Sequence, residues 1–274
     1  MADFAAARQA GDMPPIDVAV IGGSGFYSFL DGAETLPPTS TPYGAPSAAV
    51  TIGEVAGRQV AFLPRHGEGH ALPPHLINYR ANLWALRALG VRQVLAPCAV
   101  GGLRSDVAPG DLVVPDQLVD RTSGRIQSFV ETGAVHVPFA DPYCERLGRH
   151  LGGQPSIRYG GTMVVVEGPR FSTRAESQHF AAQGWSLINM TGHPEAVLAR
   201  EMRQCYAAVA LVTDMDAGVE AGEGVGQEEV FAMFARNIDR LKELLSDAIA
   251  DLPDPDGCAC STWADGLELS YEIP

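Results

Sequence analysis

The chain has 274 residues, 46% of them hydrophobic, which is enough to bury a substantial core in one large domain or two small ones. Its formal net charge of -14 comes from acidic and basic residues spread along the chain, and this disfavours nucleic-acid and acidic-membrane partners because both require a basic surface. No apolar run reaches the roughly 20 residues of a membrane span. The N-terminal residues also lack the apolar segment of a signal peptide, so we expect a soluble cytoplasmic protein.

The cysteines are odd in number and scattered along the chain: Cys98, Cys144, Cys205, Cys258 and Cys260. None of them belongs to the CxxC or Cys/His spacing that is typical of zinc sites. The spacing therefore predicts neither a disulfide framework nor a metal site. Free thiols suit a reducing compartment.

Strands and helices are predicted to alternate along the chain, which indicates an α/β fold. A short buried strand over 17–21 leads into the glycine-rich turn 22–25. Further strands are predicted over 58–63, 93–96, 112–114, 162–166, 185–190 and 207–212, with a Gly101-Gly102 turn after the second of these. Helices are predicted over 75–89, from a Thr173 capping box to Gln183, from about Pro194, and over 227–250.

Residues 1–252 are predicted to form one domain, with residues 1–15 flexible, followed by an acidic tail over 253–274. Pro253, Pro255 and Gly257 end the helical pattern. The tail still contains the apolar residues Trp263, Leu267, Leu269, Tyr271 and Ile273. Two alternatives stay open for it: disorder, or docking on a neighbouring subunit.

The glycine-rich turn contains Ser24, so its amides and hydroxyl are able to face an anion. A plain tight turn is the alternative. A nicotinamide site fits poorly because the turn lacks the third glycine of a dinucleotide fingerprint and no acid follows about 20 residues later.

A second polar cluster, RHGEGH over 65–70, follows a predicted strand directly. Arg65 has the planar fork that binds phosphate, and His66 or His70 is able to donate to an oxygen. A solvated loop is the alternative. Metal binding is disfavoured because no carboxylate-rich motif accompanies the histidines.

Two carboxylates, Asp214 and Asp216, stand at the end of an apolar strand. A desolvated carboxyl there stays protonated long enough to act as a general acid. An acidic turn or a helix cap is the alternative, and a glycosidase pair is disfavoured because such pairs come from separate segments.

Together these segments resemble a known family over residues 17–250. The motifs are IGGSGFY, RHGEGH followed by LPPHLINYRANLWALRALGV, EGPRFSTRAES, INMTGHPEAVLARE and LVTDMDAG. They are similar to the trimeric purine nucleoside phosphorylases, specifically the methylthioadenosine phosphorylase branch. The resemblance implies a single α/β domain with a central mixed, partly barrel-like sheet surrounded by helices. It also implies a homotrimer, or a dimer of such trimers. The implied activity is that of a pentosyltransferase that uses inorganic phosphate as a co-substrate and needs no metal or cofactor.

The resemblance assigns phosphate binding to four side chains: Ser24, Arg65, His66 and Thr191. A family threonine that contacts phosphate corresponds to Cys98, whose thiol is a weak donor. Either the amide of Ala99 makes this contact or the affinity for phosphate is lower.

The resemblance also assigns the nucleoside contacts. Met190 is expected beneath the ribose and Phe171 beside the base. His136 is expected to reach the 5′ end of the sugar from a neighbouring subunit. His193 replaces an aliphatic residue of the family, and residues 217–226 are either a lid or a passive loop.

The family chemistry implies that Asp214 and Asp216 bind N7 and the 6-amino edge of a purine, with Asp214 protonating the leaving base. A carboxylate accepts from a 6-amino group, which favours adenine over 6-oxopurines. We therefore expect phosphorolysis of 5′-methylthioadenosine to adenine and 5-methylthioribose 1-phosphate. The alternatives are 5′-methylthioinosine, 5′-deoxyadenosine or ordinary purine nucleosides as substrates, and a nucleoside-binding protein without turnover.

Overall fold

The computed structural model describes residues 16–26, 29–30, 32–37, 40–216 and 225–274. Within them, eleven strands form one mixed sheet. The strands are β1 Val18–Gly22, β2 Glu34–Thr35, β3 Thr51–Val55, β4 Arg58–Pro64, β5 Gln93–Gly102, β6 Leu112–Val114, β7 Gln117–Arg121, β8 Ile157–Tyr159, β9 Thr162–Val166, β10 Leu187–Asn189 and β11 Cys205–Met215. The helices are α1 Tyr79–Ala88, α2 Glu145–Gly152, α3 Arg174–Ala182, α4 Gly192–Glu201, α5 Gln227–Ala250 and α6 Ala259–Thr262.

Strand β5 lies at the centre of the sheet. It is flanked in parallel by β1 and β11, while β10 pairs with its last two residues in the antiparallel direction. The strand order is β2-β3-β4-β1-β5-β10-β9-β7. A branch of the sheet begins at β5, which also pairs with β11; β11 pairs with β6, and β6 pairs with β8. Because β1, β4, β5 and β11 run in the same direction, their carboxyl ends meet at one edge, where α/β sheets bind ligands.

Helices cover both faces of the sheet, as the alternation of β1 shows. Ala19 and Ile21 belong to a core with α1 and α4, whereas Val18 and Val20 belong to a core with α2 and α5. Residues two apart share a face of a strand. The prediction of a single α/β domain with a mixed sheet flanked by helices is confirmed. No helix in the described part of the chain is long and apolar enough to span a lipid bilayer.

Several predicted boundaries are correct and one helix start is wrong. The Thr173 capping box and the helix over 227–250 are present as predicted. The helix predicted over 75–89 begins only at Tyr79, because Asn78 caps it by accepting from the amide of Ala81. The preceding Pro74–Leu76 forms a separate 3-10 turn.

The predicted Gly101-Gly102 turn is wrong, since both glycines lie inside β5. Gly101 pairs with β10 on one side and with β11 on the other. A Cβ at Gly101 would lie 2.9 Å from Ile188 and 3.2 Å from Asp214. Glycine is therefore needed for the close approach of these strands and not for a reversal of the chain. The sequence patterns also missed β2, β3, β7, β8, α2 and α6.

Residues 253–274 pack against their own chain. The indole of Trp263 donates to the carbonyl of Arg200 at 2.8 Å, and the hydroxyl of Tyr271 donates to the carbonyl of Glu201 at 2.9 Å. The ring of Tyr271 also stacks on Phe129. The tail is thereby fastened to the C-terminal end of α4.

Candidate active site

A cavity of about 340 Å³ opens at the carboxyl ends of β1, β4, β5 and β11, within the size range of small-molecule sites. It brings together nine of the ten predicted site residues: Ser24, Arg65, His66, Ala99, Phe171, Met190, Thr191, Asp214 and Asp216. The tenth, His136, is exposed and does not line the cavity. Residues 217–224 of the predicted lid lie outside the described residues.

Arg65 is held by a buried ion pair at the base of the cavity. Its Nε and Nη2 donate to the two carboxylate oxygens of Glu195 at 2.7 and 2.8 Å. Nη2 also donates to the carbonyl of Ile21, and Nη1 donates to the carbonyl of Pro97. A guanidinium has five N–H groups, so one on Nη1 is left for an anion. The predicted phosphate fork is wrong in this detail, because Glu195 occupies it.

The same ion pair keeps Arg65 charged. Burial alone would lower its pKa, but the charge and hydrogen bonds of Glu195 outweigh burial and raise the pKa above the usual value. Both side chains are at most 1% exposed. Sequence patterns gave no signal for Glu195, since an acidic residue on a helix is usually solvated and its partner lies 130 residues away.

His66 is neutral in this environment. Its Nδ1 lies 2.9 Å from the carbonyl of Leu72, which only accepts, so Nδ1 bears the hydrogen and Nε2 the lone pair. Burial lowers the pKa of His66 to about 3, with a smaller contribution from the charge of Arg65. His66 is therefore arranged to accept from a protonated oxygen, whereas the sequence suggested a donor. His70 stacks on its ring at 4.2 Å.

Asn189 arranges the segment that carries Thr191. Its Oδ1 accepts from the amides of Thr191 and Gly192, both at 2.7 Å, and its Nδ2 donates to the carbonyl of Ala99. The side chain thus fixes Thr191 against β5 at the start of α4. Cys98 lies beside this segment, and burial raises the pKa of its thiol to about 12. It is a protonated, weak donor.

The two carboxylates lie at the end of β11 and are two residues apart. A bulge between Val212 and Asp214 shifts the register with β5 at this point. The hydroxyl of Thr213 donates to Asp214 at 2.7 Å, and that of Ser177 donates to Asp216 at 2.5 Å. Burial raises the pKa of Asp214 to about 6, aided by the charge of Asp216 and opposed by the hydrogen bond from Thr213.

Arg125 joins the two loops that carry Met190 and Phe171. Its guanidinium donates to the carbonyls of Met190, Glu167 and His193 and pairs with the Glu167 carboxylate. The side chain is 4% exposed, so these bonds are shielded from water. Sequence reasoning missed Arg125, which lies in a segment without a recognised motif. The cavity is thus lined both by donors suited to an anion and by two carboxyl groups.

A family model matches the sequence of the chain. The model described as the Phosphorylase superfamily matches residues 17–250, which is most of the chain. The chain belongs to the phosphorylase superfamily.

Individual relatives of this phosphorylase are more specific. It is 56% identical to S-methyl-5′-thioadenosine phosphorylase of Mycolicibacterium smegmatis, with 94% of this chain and 99% of the relative covered. It is 55% identical to purine nucleoside phosphorylase of Streptomyces coelicolor, with 94% and 98% covered. A solved structure of methylthioadenosine phosphorylase from Schistosoma mansoni, in complex with adenine, is similar with a TM-score of 0.83 at 36% identity, covering 88% of this chain and 93% of that chain.

His193, whose role the sequence left open, lies outside the cavity of this phosphorylase. Its Nε2 contacts the amide oxygen of Gln127 at 2.8 Å and the carboxylate of Asp120 at 3.4 Å. Its pKa is lowered by burial, although the charge of Asp120 opposes this effect. In the described chain, His193 therefore supports the loop near Arg125 and does not line the cavity.

Removal of the Ser177 hydroxyl is expected to weaken nucleoside binding. Ser177→Ala leaves Asp216 without a charge-assisted hydrogen bond of about 1.5–3 kcal/mol, so we expect KM for the nucleoside to rise about tenfold or more, since 1.4 kcal/mol corresponds to a factor of ten. Ser128→Ala is the matched control, because Ser128 donates to Glu201 in the same way, and Glu201 does not line the cavity whereas Asp216 does. Equal KM values for the two variants would contradict the assigned role of Ser177.

Proposed function

We propose that the chain cleaves 5′-methylthioadenosine with inorganic phosphate, giving adenine and 5-methylthioribose 1-phosphate. The observation that carries this proposal is that one cavity is lined both by anion donors around Arg65 and by the carboxyl group of Asp214. The names of the relatives from M. smegmatis and S. mansoni support the same substrate. No metal or organic cofactor has a role in the proposal.

In the proposed mechanism, phosphate is the nucleophile. The hydroxyls of Ser24 and Thr191, the free N–H of Arg65 and the Ala99 amide position it below the anomeric carbon. His66 accepts from its protonated oxygen. As the glycosidic bond breaks, the ribosyl group gains oxocarbenium character and a phosphate oxygen bonds to the anomeric carbon. Catalysis of this kind comes mainly from positioning and electrostatics.

Asp214 is proposed to deliver its proton to N7 of the leaving base. A carboxyl with a pKa of about 6 has a substantial protonated fraction near neutral pH, which an ordinary aspartate lacks. Asp216 is held by Ser177, and the two carboxyl groups together are proposed to bind N7 and to accept from the 6-amino group. The pair therefore favours adenine. Phe171 and Met190 supply the apolar walls for base and ribose.

Phosphorolysis of ordinary purine nucleosides is the second candidate, because a relative at 55% identity is named purine nucleoside phosphorylase. The two candidates differ at the 5′ pocket. A 5′ pocket prefers a methylthio group when the 5′-hydroxyl of an ordinary nucleoside would be buried there without a hydrogen-bond partner.

We also propose a homotrimer in which His136 of one subunit completes the 5′ pocket of its neighbour. His136 is exposed on the described chain and does not line the chain's own cavity, as such a role requires. The enzyme is proposed to act in the cytoplasm.

The substrate assignment is tested by the rate of base release from 5′-methylthioadenosine, 5′-methylthioinosine, adenosine and inosine at saturating phosphate. We expect kcat/KM to be highest for 5′-methylthioadenosine. Faster release of base from adenosine would favour the second candidate, phosphorolysis of ordinary purine nucleosides. Faster release from the two inosine compounds would contradict the roles assigned to Asp214 and Asp216.

The pH dependence follows from the pKa of Asp214. A general acid acts when protonated, and the raised pKa keeps the protonated form dominant up to about pH 6. With phosphate saturating, kcat/KM for 5′-methylthioadenosine should fall about tenfold per pH unit well above this value. This decrease of kcat/KM with rising pH should be absent in Asp214→Asn. A wild-type rate that stays level from about pH 6 to 8 would exclude Asp214 as the acid.

A further inference from the structure

The fold gathers four of the five cysteines into a cluster that does not line the cavity. Cys144 precedes α2, Cys205 begins β11, and Cys258 and Cys260 lie at the start of α6. Their four Sγ atoms all lie within 4.8 Å of one another, and all four are free thiols. Three are buried and Cys258 is half-buried. We call these residues the thiol cluster.

The spacing of the sulfurs suits one tetrahedral ion. A Zn–S distance of about 2.3 Å places tetrahedral sulfurs about 3.8 Å apart. The Sγ atoms of Cys144 and Cys258 are 3.6 Å apart, and the other pairs lie within the 4.8 Å limit of the cluster. An ion at the centre therefore needs only small side-chain movements. Four sulfurs in tetrahedral array are the donor set of structural zinc.

The charged side chain of Arg146 contacts the thiol cluster. Nη2 of Arg146 donates to the sulfur of Cys205 at 3.4 Å, so a positive charge lies directly beside the cluster. Arg146 is itself fixed by the carbonyl of Pro253 and the side-chain oxygen of Gln93. A guanidinium at this position offsets part of the negative charge of a tetrathiolate site.

We propose that Cys144, Cys205, Cys258 and Cys260 bind one zinc ion in a closed tetrahedral site. The four thiols release their protons to solvent, and each sulfur donates an electron pair to Zn²⁺. No position is left for water or substrate, so the ion is structural. Its effect is to fasten the segment with Cys258 and Cys260 to the sheet. The spacing rule that excluded a zinc site fails here because the ligands come from three separate segments.

The zinc site is separate from the candidate active site. Cys205 and Asp214 lie at opposite ends of β11, and nine residues of extended strand span about 30 Å. Cys98, the fifth cysteine, lines the cavity and does not belong to the cluster. The proposal therefore does not depend on the substrate of the enzyme.

The test is the metal content of the full chain, purified without chelators and without a metal-affinity step. Elemental analysis is expected to give about one zinc per chain. Cys258→Ser with Cys260→Ser should lose this zinc, whereas Cys98→Ser, the matched control, should retain it. Apo-protein loaded with Co²⁺ should show the intense thiolate charge-transfer and visible bands of tetrahedral cobalt.

The wild-type chain alone is sufficient to overturn the proposal, so poor folding of a variant does not protect it. Absence of zinc, together with a cobalt spectrum that lacks thiolate charge transfer, would overturn it. A metal-free chain whose intact mass shows disulfide bonds among the four cysteines would do the same. Retention of zinc by the double serine variant would place the ion elsewhere and would also contradict the proposal.

Discussion

Replacement of Asp214 by asparagine is expected to lower kcat for phosphorolysis of 5′-methylthioadenosine by about 10²- to 10⁴-fold, the usual contribution of a general acid. The amide keeps the shape of the side chain and its contact with Thr213 but has no acidic proton. Adenine would then have to leave the ribosyl group as an anion, without a proton on N7. The measurement is single-turnover release of adenine at saturating phosphate and nucleoside.

The same variant tests the choice of base. An amide N–H is able to donate to a 6-oxo group, so the ratio of inosine to adenosine turnover should rise in Asp214→Asn. Because burial raises the pKa of Asp214, a neutral amide is expected to keep or increase the melting temperature, which separates catalysis from folding. A folded, active variant with an unchanged adenine preference would refute the assigned role.

Removal of Glu195 is expected to produce the largest loss of stability. Glu195→Ala leaves the buried Arg65 without its partner, and breaking a buried ion pair in this way lowers the free energy of unfolding by about 3–5 kcal/mol. Tyr206 also loses the acceptor of its hydroxyl. Since Glu195 sets the orientation of Arg65, KM for phosphate should rise as well. Urea unfolding and phosphate kinetics give the two quantities.

The double variant Arg65→Met with Glu195→Met is the matched control. Both charges are then absent, and apolar side chains of similar length are able to pack in their place, so most of the lost stability should return. Phosphate binding should not return, because the Nη1 donor is missing. A free energy of unfolding of Glu195→Ala within about 1 kcal/mol of the wild-type value would contradict the stabilising role assigned to the buried ion pair.

Local chemistry made much of the fold and site predictable. The Thr173 capping box and the long apolar face of α5 are decided within a few residues of sequence, and the structure reproduces both. The clusters around Ser24, Arg65 and Asp214 were found because small or polar residues follow apolar strands. Such interruptions of an apolar strand rarely serve packing alone. The family resemblance, and not the local pattern, supplied Ala99, Phe171, Met190 and Thr191.

The rest depends on contacts between distant segments. Glu195 meets Arg65 across 130 residues, and nothing local to either residue indicates the pair. Gly101 resembles a turn residue in sequence, but it lies in β5. Glycine is needed there because Ile188 and Asp214 leave no room for a Cβ. The thiol cluster is of the same kind, since neither Cys144 nor Cys205 has a second cysteine nearby in sequence. Residue patterns describe local geometry, and these features belong to the tertiary structure.

The most direct test of the account is release of adenine from 5′-methylthioadenosine by the purified chain, with and without phosphate, with the sugar product quantified. Phosphate as nucleophile predicts that adenine appears only when phosphate is present, together with an equal amount of 5-methylthioribose 1-phosphate. Adenine release at the same rate without phosphate, with free methylthioribose as the product, would contradict the account because water would then be the nucleophile.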